Sequence, residues 1–187
     1  MGKQSWKPGN MLYPVPAVLV SCRDKEGKDN VLTVAWAGTI CSDPAMLSIS
    51  VRKERYSHSM IKETGEFVVN LTTKELLRAT DYCGVKSGRD EDKFAAMELT
   101  KGEAEKVNVP IIMESPVNIE CKVKQVLELG SHDMFIAEVV NVQVSEKYMD
   151  EKGAFHLNDA DLLAYSHGRY YELGKELGTF GYSVRKN

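Results

Sequence analysis

The sequence predicts a mainly β domain, a small antiparallel β-barrel with short helices, and three observations carry that prediction. Apolar β-branched runs recur at short spacing, two later runs alternate apolar and polar residues, and the helical signals between them are brief. The 187 residues are enough for one filled core and few for two, and no repeat, low-complexity stretch or linker divides them. One domain over 1–187 is therefore expected.

The elements follow in chain order. From Ala17 to Asp24 an apolar run leads into the Gly-containing turn Asp24–Asn30, and Val31 to Trp36 returns, so the two read as a β-hairpin. After the Asp43-Pro44 corner, Met46 to Val51 puts Leu47, Ile49 and Val51 on one face and Met46, Ser48 and Ser50 on the other, as in a half-buried strand. Ser57 can cap a short helix that Gly65 ends, with Met60, Ile61 and Thr64 on its packing face. Phe67 to Leu71 reads as a strand, and Thr72 to Gly84 as a second helix, capped by Thr and closed by Gly. A third short helix starts near Asp90 and runs through Lys93 to Met97.

Two longer strands complete the barrel. Val117 to Val123 alternates without a slip, Met134 to Val144 is almost continuously apolar, and Gly130–Asp133 connects them. Val126 and Leu127 fall out of register after Val123, which predicts a β-bulge of the kind that bends a barrel strand. The tail from Leu162 carries Tyr165, Tyr170, Tyr171, Phe180 and Tyr182 among several glycines, and reads as an extension packed over the barrel or over a second subunit.

Composition excludes several function classes. With 24 Lys+Arg against 27 Asp+Glu, a net charge of −3 gives no electrostatic reason for a nucleic-acid partner. No apolar run approaches the roughly 18 residues of a membrane span, and Met1 to Asn10 lacks the apolar stretch of a signal peptide. The expectation is a soluble, cytoplasmic protein without a membrane partner. Cys22, Cys41, Cys83 and Cys121 form no CxxC pair and sit in or beside apolar segments, as buried or half-buried free thiols do. The chain has no GxGxxG, P-loop, GxSxG or HExxH motif, and His58, His132, His156 and His167 lack metal-ligand spacing. No metal site is expected.

Three constellations can carry chemistry. Ser50 to Ser59 brings Arg52, Lys53 and Arg55 from a strand end onto a helix start bearing Ser57 and Ser59, an arrangement that suits a phosphate. A solvated charge run before an ordinary helix cap has the same appearance. In Asn30 to Cys41, Thr33, Thr39 and the small Ala35, Ala37 and Gly38 surround Trp36, so a flat ligand can approach the backbone, although Trp36 also suits a core. In Ser87 to Lys93, Lys93 can aim a charge at a ligand or pair with Asp90 or Asp92.

Together and in this order these segments resemble the flavin reductase-like, FMN-binding split-barrel family, most closely its flavoredoxins. The resemblance runs from Tyr13-Pro-Val-Pro-Ala17 to Gly178-Thr-Phe-Gly-Tyr182. Its motifs are the Asn30…Ala35-Trp36…Thr39 block, Ser50-Val-Arg…Ser57-His58, Gly65 to Asn70, Cys83-Gly84…Ser87-Gly88…Asp92-Lys93-Phe94, and Gly130-Ser-His132.

The resemblance implies noncovalent FMN in a split barrel, usually in a homodimer with the flavin near the subunit interface. Carried over residue by residue, it implies flavin contacts from Asn30, Trp36, Ser57, Lys93, His132 and Tyr165. It adds backbone contacts at Ala35, Ala37 and Thr39, and a phosphate held by Arg52, Ser57 and His58. Relatives that reduce free flavin with NADH commonly carry Gly-Asp-His where this chain has Gly130-Ser131-His132, so the histidine that can contact nicotinamide or flavin is kept and the acid is not.

The expected activity is oxidoreduction, with electrons passing from NAD(P)H through bound FMN to a small-molecule or protein acceptor. The alternatives are a flavoredoxin-type carrier reduced by a partner protein, and a split-barrel binding protein without a redox role.

Overall fold

The computed structural model describes residues 1–185. Its strands are β1 (Val15–Pro16), β2 (Val18–Arg23), β3 (Asp29–Val34), β4 (Ala37–Ser42), β5 (Ala45–Arg52), β6 (Glu66–Asn70), β7 (Lys101–Gly102), β8 (Ile111–Ile112), β9 (Val117–Leu129), β10 (His132–Val144), β11 (Leu163–Ser166) and β12 (Arg169–Glu172). The helices are α1 (Tyr56–Thr64), α2 (Leu77–Val85) and α3 (Lys93–Ala96).

Seven strands form one antiparallel sheet in the order β3-β2-β6-β9-β10-β5-β4. Its two edge strands, β3 and β4, are joined in the chain by Ala35 and Trp36 alone. Two residues cannot span a flat seven-stranded sheet, whose neighbouring strands lie roughly 4.8 Å apart, so the sheet must curl until its edges meet. The Ser50 amide of β5 donates to the Trp36 carbonyl at 2.8 Å and marks the seam.

Strand alternation sorts the apolar residues into separate cores. Val18, Val20 and Cys22 of β2, Leu32 and Val34 of β3, Phe67 and Val69 of β6, and Phe135 of β10 fill the barrel with Met60 and Ile61 of α1. The intervening Leu19 and Val31 face outward beneath α2 and α3, packed with Leu76, Ala79, Cys83 and Phe94. Val68 lies under the segment carrying Val107, Val109 and Ile111. Burial on both faces explains why these strands read as nearly unbroken apolar runs.

Several expectations are met and several are corrected. The first hairpin forms, but β3 stops at Val34, so Trp36 belongs to the seam. The strand β4 has no counterpart in the sequence reading: its Gly38, Thr39 and Ser42 are exposed, and pairing with β5 forms it. The expected bulge is present, because Gln125 pairs with Ile136 and Val123 with Ala137, leaving Lys124 over. The connection from β9 to β10 is only Gly130-Ser131, with Gly130 at φ +74°, and His132 opens the strand.

Ser57 does not cap α1. Arg55 occupies that position without a side-chain bond, while Gly65 ends the helix as expected, at φ +70°. A 3-10 turn, Lys74–Leu76, precedes α2, and Gly84 lies within that helix because its missing side chain lets it pack on Thr33. Asp92 caps α3 by accepting from the Phe94 and Ala95 amides, so this helix starts later than near Asp90.

The tail adds a three-stranded sheet, β1-β11-β12. Beyond it Leu177 and Phe180 are fully exposed, so this last part does not pack on the chain's own barrel. The four cysteines are free thiols; Cys41 is half-buried and the others are buried. Among the described residues no helix is long and apolar enough to cross a membrane.

Candidate functional site

The barrel seam and the start of α1 frame two clefts. A cavity of about 120 Å³ is lined by Thr33, Val34, Ala35, Trp36, Ser50 and His132. A larger one of about 410 Å³ is lined by Tyr56, Ser57, Lys86, Ser87, Gly88 and Arg89. Leu32, Arg52 and Arg55 line both, so the two are parts of one continuous depression.

The larger part is built for an anion. The first amides of an α-helix lack intrahelical acceptors and carry the positive end of its dipole. Arg52, Arg55, Lys86 and Arg89 surround the start of α1, with Glu54 the one acid in the lining. Arg89 is held in place by donating to the Glu54 carbonyl at 3.0 Å and by resting 5.2 Å from the Tyr56 ring centre. Lys28 lies 4.9 Å from the same ring centre and donates to the Gly88 carbonyl at 3.4 Å.

Beneath this cleft, Asn30 of β3 donates from Nδ2 to the Ser57 hydroxyl at 2.7 Å; Asn30 is 4% exposed and Ser57 1%. A Cβ on Gly88 would lie 2.1 Å from Asn30 Oδ1, so only glycine lets the Ser87–Arg89 loop settle there.

At the other end, His132 sits opposite Arg52 across the β10–β5 ladder. Its Nδ1 is 2.9 Å from the Ser131 hydroxyl. Burial, and then the Arg52 charge, hold the imidazole below its usual pKa, so it is mainly neutral at pH 7. Trp36 is half-buried, with its ring centre 6.1 Å from that of Tyr13.

Of the residues singled out in the sequence, Ala35, Trp36, Arg52, Ser57 and His132 line this depression, and Asn30 supports it from below. Ala37 lies one residue further on, in an apolar cleft of about 620 Å³ that shares Ala35, Trp36 and Ser50. Thr39 is exposed and lines neither part, because pairing with β5 carries β4 away from the seam. Tyr165 lines a further cavity of about 290 Å³ that shares Thr33 and Ala35 with the seam part.

Two candidates turn elsewhere. His58 lines neither part; its Nε2 lies 2.8 Å from Asp133 Oδ2, on the β10 side of α1. Lys93 is 3% exposed and donates to the Cys83 and Lys86 carbonyls, so it neutralises the C-terminal end of α2 instead of lining the cleft. Burial lowers its pKa from the usual lysine value.

Sequence reasoning did not single out Lys86, and although Ser87-Gly88 stands among the family motifs and Arg89 in the same loop, it assigned neither Gly88 nor Arg89 to the cleft. Glycine and charge in the loop were the available signal, but nothing local says that the loop folds over α1.

The burial of the remaining thiols bears on chemistry as well. Burial pushes Cys22 and Cys121 up to about 12 and Cys83 to about 11, so none is a thiolate at neutral pH.

Comparison with known proteins places this geometry. The flavoredoxin of Desulfovibrio vulgaris (Miyazaki F) superposes with a TM-score of 0.90 at 32% identity, over 98% of this chain and 100% of that one. An uncharacterized protein of Archaeoglobus fulgidus is 38% identical over 141 residues, covering 75% of this chain and 78% of its own. A ferric-chelate reductase (NAD(P)H) of the same organism is 27% identical over 138 residues, 73% of each chain. The family model for the flavin reductase like domain matches residues 10–174, which include every strand of the barrel and its appended sheet. The chain belongs to the flavin reductase-like family of split-barrel flavoproteins.

Proposed function

We propose that this protein is an FMN-dependent oxidoreductase that passes electrons from NAD(P)H through noncovalently bound FMN to an acceptor. The observation that carries the reading is the continuity of the seam cleft with the cationic cleft through Leu32, Arg52 and Arg55. A ligand with a flat ring at one end and a phosphate at the other fits that order of surfaces.

The residues fit FMN on chemical grounds. Four cations and a helix start match a terminal phosphate. The small Ala35 and the edge strand β3 let a flat ring approach the backbone at the open seam. Bound FMN supplies a centre that accepts a hydride or single electrons and releases them singly or in pairs.

The chain's own residues then do the positioning. Arg52, Arg55 and Arg89 neutralise the phosphate, while Asn30 fixes the Ser57 hydroxyl. Trp36 closes the seam beside the ring. His132, being neutral, presents a hydrogen-bonding nitrogen to ring or donor without adding charge. Ala37, in the adjoining apolar cleft, and Tyr165, in the cavity that shares Thr33 and Ala35, border this site and can meet the ring or a second reactant, whereas exposed Thr39 stands outside it. His58 and Lys93 contribute through the elements that they hold. The exposed apolar tail supports a homodimer, with residues from Leu173 to Val184 covered by a second copy.

A second reading, a flavoredoxin-type carrier reduced by a protein partner, is favoured by Ser131, which gives His132 a neutral neighbour where an acid would support its charged form. An anaerobic absorbance titration of FMN-loaded protein with NADH and NADPH separates the two. Rapid loss of the oxidised-flavin band with either nucleotide supports the reductase. Bleaching by dithionite alone supports the carrier, and failure to retain FMN refutes both.

A further inference from the structure

We propose that His58 and Asp133 form a positioning pair that holds the first turn of α1 in register with β10, and so sets the preference for a phosphorylated flavin over riboflavin. The inference rests on the flavin reading above and adds a specificity role for two residues that do not line the cleft.

The first turn of α1 is tied on two sides by consecutive residues. Ser57 accepts from Asn30 on β3 at 2.7 Å, and His58 Nε2 meets Asp133 Oδ2 on β10 at 2.8 Å. Consecutive helical residues point about 100° apart, so the two ties together fix both the rotation and the position of this turn. With one tie alone, the orientation of the turn is left to the non-directional core packing of Met60 and Ile61.

Asp133 is also the residue after His132. Alternation along β10 sends His132 to the cleft and Asp133 to the α1 side. The pair thus links the helix start that meets the phosphate to the strand end that meets the ring.

The surroundings make the tie directional. His58 is 8% exposed and Asp133 1%, and the imidazole stands edge-on to Phe135 at 5.4 Å between ring centres. Lys53 approaches the second oxygen of Asp133 at 3.3 Å. Burial alone would raise the Asp133 pKa, but the His58 and Lys53 partners overcome it and keep the carboxylate ionised. An apolar contact would hold a helix against a strand without desolvating a carboxylate, so a buried, directional histidine–carboxylate contact here is best explained by the register it enforces.

The test compares FMN with riboflavin, which lacks the phosphate, by fluorescence quenching on apoprotein of the wild type and of His58→Ala, His58→Gln and Asp133→Asn. In the wild type FMN binds more tightly than riboflavin. His58→Ala and Asp133→Asn are expected to reduce the FMN-over-riboflavin ratio at least fivefold while riboflavin affinity stays within about twofold. His58→Gln, whose amide reaches the same carboxylate, restores most of the ratio.

A parallel loss of affinity for both flavins overturns the proposal in favour of general structural support, and so does an unchanged ratio in both disruptive variants. Should His58→Ala not fold, Asp133→Asn carries the same comparison; failure of both to fold overturns the positioning role. A wild type that binds neither flavin refutes the flavin reading itself.

Discussion

Replacing Gly88 by alanine tests the packing on which the cationic cleft depends. The new Cβ would stand 2.1 Å from Asn30 Oδ1, 2.6 Å from its Cγ and 2.9 Å from Nδ2, none of which is a tolerable separation. Gly88 has no positive φ, so alanine strains no backbone angle and the conflict is purely steric. Relief requires Asn30 to turn away, breaking its 2.7 Å bond to Ser57 where both groups are buried.

Leaving such a buried pair unmatched costs about 1–3 kcal/mol, and overpacking adds about 1–3 kcal/mol. The restricted unfolded chain returns roughly 0.4–1 kcal/mol. The combined loss is about 1–6 kcal/mol, or about 2–20 °C in melting temperature for a chain of this size. Urea denaturation gives the stability, and flavin fluorescence quenching gives the affinity, which should fall because Ser57 loses its anchor. The Asn30→Ala/Gly88→Ala double variant removes the obstructing amide, so its effects should be less than additive, by about 1–3 kcal/mol. A Gly88→Ala protein with unchanged melting temperature and flavin affinity would refute the reasoning.

Other predictions concern the same surfaces. Trp36→Ala should weaken flavin retention by about 1–3 kcal/mol, read as the dissociation constant in a quenching titration; no change would remove Trp36 from the site. In native protein a colorimetric thiol reagent should modify Cys41 rapidly and the three buried cysteines only on unfolding, since burial keeps those three protonated. Asp29 and Asp133 are held below their usual pKa by Arg23 with Lys101 and by His58 with Lys53, against the upward push of burial. Their stabilisation is therefore complete above the unfolded value of about 3.9 and is lost as pH falls through the lower folded values. The urea midpoint should hold from pH 7 to pH 5 and drop below pH 4, less steeply in Asp29→Asn; a midpoint constant to pH 3 contradicts this.

Much of the barrel is encoded locally. The hairpin of β2 and β3 is visible because β-branched runs flank a Gly-containing turn, and the bulge at Lys124 because one extra residue reverses the alternation after Val123. The end of α1 is visible in Gly65, which adopts the left-handed conformation that stops a helix. Trp36, Arg52, Ser57 and His132, which the family motifs single out, all line the cleft.

What tertiary structure decided is of a different kind. Whether β4 is a strand depends on β5 lying beside it, and its exposed residues carry no pattern of their own. Whether a histidine faces ligand or protein depends on which element packs against it: Asp133 claims His58, while His132, only one residue earlier on β10 than that aspartate, turns to the cleft. The same holds for Lys93, claimed by carbonyls of α2, and for Arg89, brought to the helix start by a loop that only Gly88 lets down onto Asn30. Sequence determines the alternation that builds the strands, because that physics acts between near neighbours. The direction of a polar side chain is settled by partners distant in the chain, and those exist only once the barrel has closed.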